Sequence, residues 1–384
     1  MTQEQKLLNV IAFNQAKLAA CKEGRLLENS FRPRTFEQEA VAAQSYLGGD
    51  ATVADILTEA ELLEAECQLN AYRKAFNDSC KLSGTDIKVA LAIGAIGFLT
   101  DAILVGVPEK GSNGIEAGCF ANALRNKVTQ ALPEETCSKL VKEAKVTYDL
   151  TSNVTRNAST KIHVEGLSAY YHRLLSLGHD ASGVGRLVGI YDIMKGSMTT
   201  IDKDGHFVSQ VITELADRKE TDVVSAFVKY VKHLLSDITT NMGLPAPYMS
   251  LFNLVQIGSF FEDEKTVAEL VQEMYWDGYD LIHFTAANIL TVLMELVIRV
   301  YAKVTKKTNC QCENMRFLAH TTDLGLNMGV VCITENISSL NYSEVLSFTR
   351  CICNRVHWIV LKKTDERSKY IYNELQKRIA AVYT

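Results

Sequence analysis

The sequence predicts a mostly α-helical protein, a multi-helix bundle whose central helices are apolar enough to span a membrane. Three observations carry this expectation. Only five prolines (Pro33, Pro108, Pro133, Pro245 and Pro247) interrupt 384 residues, which permits long helices and speaks against an all-β chain. Apolar residues recur at helical spacing, as at Leu7, Leu8, Ile11, Ala12 and Leu18. Two long apolar runs, Val89–Val107 and Leu281–Val304, have the length of a bilayer crossing. A composition of 47% hydrophobic and 22% charged residues excludes a disordered tail protein.

A chain of this length is expected to form two or three packed units. The changes of character divide it into an N-terminal helical region (1–80), a central apolar helical domain (81–304) and a basic helical C-terminal region (305–384). The first helix, Gln3 to Lys22, is broken by Phe31-Arg32-Pro33-Arg34-Thr35, and Thr35 with Gln38 reads as a capping box for the next. Asp50 or Thr52 is expected to open a third, acidic helix running through Glu59, Glu61, Glu64 and Glu66 to about Cys80, a solvated face.

The apolar run Val89–Val107 holds one charge, Asp101, and is closed by Pro108. Its nineteen residues would span roughly 28 Å. Gly94 and Gly97 would let another helix approach closely. A membrane helix tolerates Asp101 only facing a partner or a polar path, whereas a soluble core helix would use it to bond a neighbour. Leu132-Pro133-Glu134-Glu135 marks a helix start, Thr151–Lys161 a loop, and Asp202-Lys203-Asp204-Gly205 a turn or hairpin. The second run reads as a core helix in preference to a membrane span, and in it Glu295 and Arg299 stand at i,i+4, the order that favours an internal ion pair.

The net charge of −5 argues against a generic polyanion binder, but it is unevenly spread. Tyr301–Thr384 holds twelve basic and seven acidic residues, a local +5 that leaves −10 on the rest. Lys303, Lys306, Lys307, Arg350, Arg355, Lys362 and Lys363 are the candidates to face lipid or nucleic acid, the alternative being a solvated helix face. The N-terminus shows no secretory pattern, so the ten cysteines are expected to be reduced thiols and the Asn-x-Ser/Thr matches to be chance. Cys310-Gln-Cys312 and Cys351-Ile-Cys353 would supply four thiolates to zinc or are ordinary thiols.

No phosphate-cradling loop, dinucleotide fingerprint or nucleophile elbow is present. The polar set that invites chemistry is His163, His172, His179-Asp180, His206, His233 and Asp237. His233 and Asp237 fall on one helix face, and imidazole with carboxylate suits a divalent metal that activates water. His233-Leu-Leu-Ser-Asp237 resembles the metal-binding helix of zinc phospholipases and nucleases, and Gly178-His179-Asp180 the doublet of HD-type phosphohydrolases. The metal reading therefore takes His172, His179, Asp180, His233 and Asp237 as ligands for zinc or manganese in a hydrolase of phosphoesters or phospholipids. The alternative is a set of helix–helix hydrogen bonds.

The order of Leu99-Thr100-Asp101-Ala102-Ile103-Leu104-Val105-Gly106, Tyr171-His172-Arg173, Gly178-His179-Asp180, Ile201-Asp202-Lys203-Asp204-Gly205 and Gly243-Leu244-Pro245-Ala246-Pro247 resembles membrane effectors of the two-gene bacterial anti-phage system called Hailong. The resemblance spans about 88–304. It implies a homo-oligomeric channel at the bacterial inner membrane, held closed by an oligonucleotide from a partner nucleotidyltransferase. Without the resemblance, a membrane-associated or a soluble cytoplasmic helical protein is expected. The leading expectation is a pore-forming effector with Asp101, Glu295 and Arg299 as path or gate residues; the alternatives are the metal-dependent hydrolase and a soluble helical scaffold.

Overall fold

The computed structural model describes residues 3–22, 35–47, 58–111, 114–149, 172–202 and 204–383. His163, Tyr171, Lys203, the break at 31–34, the helix start expected at 50–52 and the loop expected at 151–161 lie outside them. The structure is about 74% helical, as expected, with fourteen helices and two small hairpins among the described residues. In chain order these are α1 (Gln3–Lys22), α2 (Phe36–Leu47), α3 (Glu59–Ser79), α4 (Gly84–Leu104), β1 (Glu109–Gly111), β2 (Gly114–Glu116), α5 (Cys119–Ala131), α6 (Glu134–Glu143), α7 (His172–Leu175), α8 (Gly183–Lys195), β3 (Ser197–Ile201) and β4 (Phe207–Val211). There follow α9 (Val223–Asp237), α10 (Val267–Trp276), α11 (Leu281–Val304), α12 (Asn309–Thr334), α13 (Tyr342–His357) and α14 (Lys363–Tyr383).

The chain forms two compact units, one from 1–87, 301–315 and 350–384, the other from 88–300 and 316–349. The N-terminal and C-terminal segments, separate in the sequence reading, thus share a unit. In that first unit, Leu7, Val10 and Ile11 of α1 pack with Leu69 and Tyr72 of α3 and with Ile371 and Leu375 of α14. The capping box of α2 is present, with Gln38 N–H donating to Thr35 Oγ1 at 3.3 Å and Thr35 N–H to Gln38 Oε1 at 3.0 Å. In the described residues the acidic helix begins at Glu59, where Thr58 and Glu61 form a capping box. Asp86 accepts from Ser83 Oγ (2.7 Å), Tyr301 Oη (3.1 Å) and Lys307 Nζ (2.8 Å), fastening the first turn of α4 to the end of α11.

Two of the apolar clusters of the second unit lie around the site. Leu174, Met249, Met274, Tyr275, Tyr279 and Tyr342 form one; Val146, Tyr148, Ile193, Met198, Ile212 and Tyr230 form the other. The β3–β4 hairpin turns at Asp202, whose Oδ1 accepts from the N–H groups of Asp204 and His206, and Gly205 supplies a φ of 81°. Asp192 at the end of α8 clamps that hairpin, accepting from Ser197 Oγ (2.6 Å), Thr199 N–H (2.8 Å) and Thr199 Oγ1 (2.9 Å). The Gly243–Pro247 motif is a structural corner: Gly243 has φ 63°, its carbonyl accepts from Tyr275 Oη, and the Pro247 carbonyl accepts from Tyr342 Oη.

Candidate functional site

The sequence of α4 produces an inverted helix. Its inward face carries Ala90, Gly94, Gly97 and Asp101, while Ile96, Leu99 and Ile103 point out with 61, 53 and 69% of their surface exposed. Alanine and glycine on the inner face allow close approach, as expected. A Cβ at Gly94 would run into the Ala319 carbonyl, and one at Gly97 would stand 2.8 Å from Asp323 Oδ2. α11 repeats the pattern, with Ala287, Thr291, Met294 and Ile298 buried and Val292, Leu293, Leu296, Val297 and Val300 about half exposed. Both helices are long and apolar enough to cross a membrane. At 1.5 Å per residue, α4 and α11 span roughly 31 and 36 Å, against a hydrocarbon core of about 30 Å.

What α4 and α11 enclose is polar. On the inner face of α12, Arg316, His320, Asp323 and Asn327 recur at spacings of four, three and four, all buried. His320 Nδ1 lies 2.5 Å from Glu344 Oε1, and His320 Nε2 3.4 Å from Glu295 Oε1. Arg316 donates to Glu295 Oε1 at 2.5 Å, Thr291 Oγ1 to Glu344 Oε2 at 3.3 Å, and Asn327 Nδ2 to Asp323 Oδ1 at 2.8 Å. Asp101 accepts a hydrogen bond from Asn341, yet its Oδ1 has no partner. Four carboxyl groups therefore share the interior with one guanidinium and one imidazole.

Of the three expected path residues, Asp101 is buried and Glu295 is mostly buried, so both face this cluster. Arg299 does not: its side chain is 58% exposed, and the expected pair with Glu295, at 3.2 Å, lies on the outer side. Glu295 is also held by Arg316 and His320, two residues the sequence reading passed over with Asp323 and Glu344. The signal was there in the four-three-four spacing on α12, hidden by the apolar residues between.

The expected metal residues separate into two groups. His179, just before α8, and His233 and Asp237 on α9 converge: His179 Nε2 to His233 Nε2 is 3.2 Å, and Asp237 Oδ2 is 3.6 and 3.7 Å from the two. His172 joins His179 in a second convergent set with Asp149, a residue not foreseen. Asp180 turns away; its Oδ1 accepts from the N–H groups of Ser182 and Tyr248, fixing the start of α8. His206 is exposed beside Asp202 at 3.4 Å. Burial holds the His179 imidazole far below its ordinary pKa, hence neutral, and the Tyr148 ring stands edge-on to His179 and His233 at 5.3 Å each. Glycine is required at 178 because a Cβ there would meet the Tyr148 ring at 2.7 Å.

The basic candidates lie in the first unit. Lys307 is paired with Asp86, Arg355 turns onto Asn314, and Lys363 lies over the Trp358 ring at 5.8 Å. Lys303, Lys306, Arg350 and Lys362 are exposed. Arg355 and Lys362 line a cavity of about 350 Å³ with Asn309, His357, Trp358 and Glu366, beside a π turn at Trp358–Lys362. The four CxC thiols do not converge: Cys310 and Cys351 are buried, Cys353 is exposed, and among the described residues no metal-competent set contains two of them. Compared with known proteins, the chain matches no family model, no curated protein and no solved structure.

Proposed function

We propose that this chain is a membrane-embedded, pore- or channel-forming protein. The observation that supports it is the inversion of α4 and α11: apolar side chains outward, carboxylates inward. In water, each half-exposed Leu, Ile or Val on these helices would forfeit roughly half of the about 1.5–3 kcal/mol that full burial provides. In a bilayer the same surface is solvated by lipid, and ionisable groups turn inward to pair or to line a polar path. In this reading, Asp101, Glu295, Asp323 and Glu344 form the path for a cation, with Arg316 and His320 as the counter-charges that hold it shut.

The resemblance to Hailong-type effectors extends the reading to a homo-oligomer acting in bacterial anti-phage defence at the inner membrane. Its gating ligand would be a nucleotide or oligonucleotide from a partner enzyme. The cavity lined by Arg355, Lys362, His357 and Trp358 offers such a ligand cationic groups for phosphate and an indole for a base. The hydrolase reading has less support, because water and substrate would have to reach a triad whose members are each less than 5% exposed.

The test is reconstitution of the purified full-length chain in planar bilayers, with carbonate extraction of membranes from expressing cells. Conductance that changes in Asp101→Asn and Asp323→Asn is the expected result. Complete release from washed membranes together with the absence of conductance would overturn the reading.

A further inference from the structure

The triad in the second unit has a geometry that hydrogen bonding explains only in part. His179 Nε2 and His233 Nε2 face each other at 3.2 Å, so without an ion one ring must donate its proton to the other. Asp237 Oδ2 lies 3.6 and 3.7 Å from these nitrogens, beyond hydrogen-bond reach of either. That oxygen is buried and has no hydrogen-bond partner, although the other carboxylate oxygen, Oδ1, accepts from Arg173 at 3.2 Å. Leaving a carboxylate oxygen buried and unpaired costs about 1–3 kcal/mol or more.

A tetrahedral ion with bonds of about 2.05 Å separates its ligand atoms by about 3.3 Å. The three edges here, 3.2, 3.6 and 3.7 Å, approximate one face of that tetrahedron. We propose that His179, His233 and Asp237 form a binding site for a divalent transition metal of the zinc class. Two imidazoles and one carboxylate favour zinc or cobalt over magnesium and calcium, which prefer all-oxygen shells. His233 and Asp237, one turn apart on α9, present their ligand atoms together, and the short helical turn Leu177–His179 brings the third. Arg173 holds Asp237 from its far oxygen, as an outer partner orients a ligating carboxylate. The ion ties that turn to α9, and so joins segments that are 54 residues apart in sequence. This is independent of pore formation.

The test uses the full-length protein in detergent. Elemental analysis is expected to find about one zinc per chain, falling at least tenfold in His233→Gln and in Asp237→Asn, with circular dichroism reporting whether each variant stays folded. Chelation of the wild type should lower the melting temperature, and zinc or cobalt, but not magnesium, should restore it. Cobalt-loaded wild type should show the visible bands of a four-coordinate nitrogen–oxygen site, a readout that stands if a variant fails to fold. Folded wild type with only trace metal and no thermal response to zinc would overturn the proposal. So would undiminished zinc in a folded His179→Gln/His233→Gln variant, or a thiolate-to-cobalt charge-transfer band assigning the ion to cysteines.

Discussion

His320 Nδ1 and Glu344 Oε1 meet at 2.5 Å with both side chains fully buried, joining the inner faces of α12 and α13. Such a pair is held by its short contact and by the groups around it, here Thr291 on Glu344 and Glu295 on His320. Removing Glu344 takes this buried acceptor from His320 Nδ1 and from Thr291 Oγ1. Glu344→Ala is therefore expected to destabilise the protein by about 3–5 kcal/mol. Glu344→Gln, which keeps shape and an acceptor oxygen, should lose less. Melting temperatures of both variants in the same detergent check the order, and equal losses would remove the charge from the account.

The helix crossings at Gly94 and Gly97 predict a graded series. Gly94→Ala drives a methyl into the Ala319 backbone carbonyl, which can retreat only if α4 and α12 separate. Gly97→Ala meets the Met294 Sδ and Asp323 Oδ2 tips, which can rotate away. The first should cost about 1–3 kcal/mol and the second less. Gly325→Ala and Gly329→Ala, in open space within α12, should instead gain about 0.5–1 kcal/mol from helix propensity. Thermal unfolding of the four variants gives the ranking.

Cys310 offers a pH test in the first unit. Burial, then a hydrogen bond with Cys80, pushes its thiol up to about 12 from an ordinary 9. The folded chain keeps this proton where the unfolded chain releases it, so the contribution to stability is intact below pH 9 and declines as pH rises toward 12. At pH 8, iodoacetamide should label exposed Cys67 and Cys353 well before Cys310, as peptide mass spectrometry of the partly alkylated protein would show. Labelling of Cys310 at the rate of Cys353 would contradict this burial.

Asp192 should prove a structural hub, since three hydrogen bonds from the β3–β4 hairpin end on its carboxylate. Asp192→Ala strands the Ser197 and Thr199 donors and is expected to cost about 2–4 kcal/mol. Asp202→Ala, at the exposed end of the hairpin, should cost less, and urea denaturation of the pair provides the comparison.

Much of the fold was legible because it rests on local chemistry. The Thr35–Gln38 box, the turn at Asp202 to Gly205 and the helix start at Pro133 each depend on residues within four positions of one another. The convergence of His233 with Asp237 was legible for the same reason. His179 stood in the expected ligand set as well; the withdrawal of Asp180 was not legible, because Asp180 is claimed by the N–H of Tyr248, 68 residues away. The i,i+4 pair of Glu295 with Arg299 was legible, but the spacing does not say which side of the helix is buried.

By itself, then, the sequence determined the helical class, the two apolar helices of bilayer length and the small residues at Gly94 and Gly97 that allow close crossing. These follow from periodicity and side-chain size, which act over a turn or two of chain. Only the tertiary structure decided that the apolar faces of α4 and α11 point outward and that Asp101, Glu295, His320, Asp323 and Glu344 share one interior. Which charges meet is set by helix packing across more than two hundred residues, and electrostatic energy depends on those distances in space.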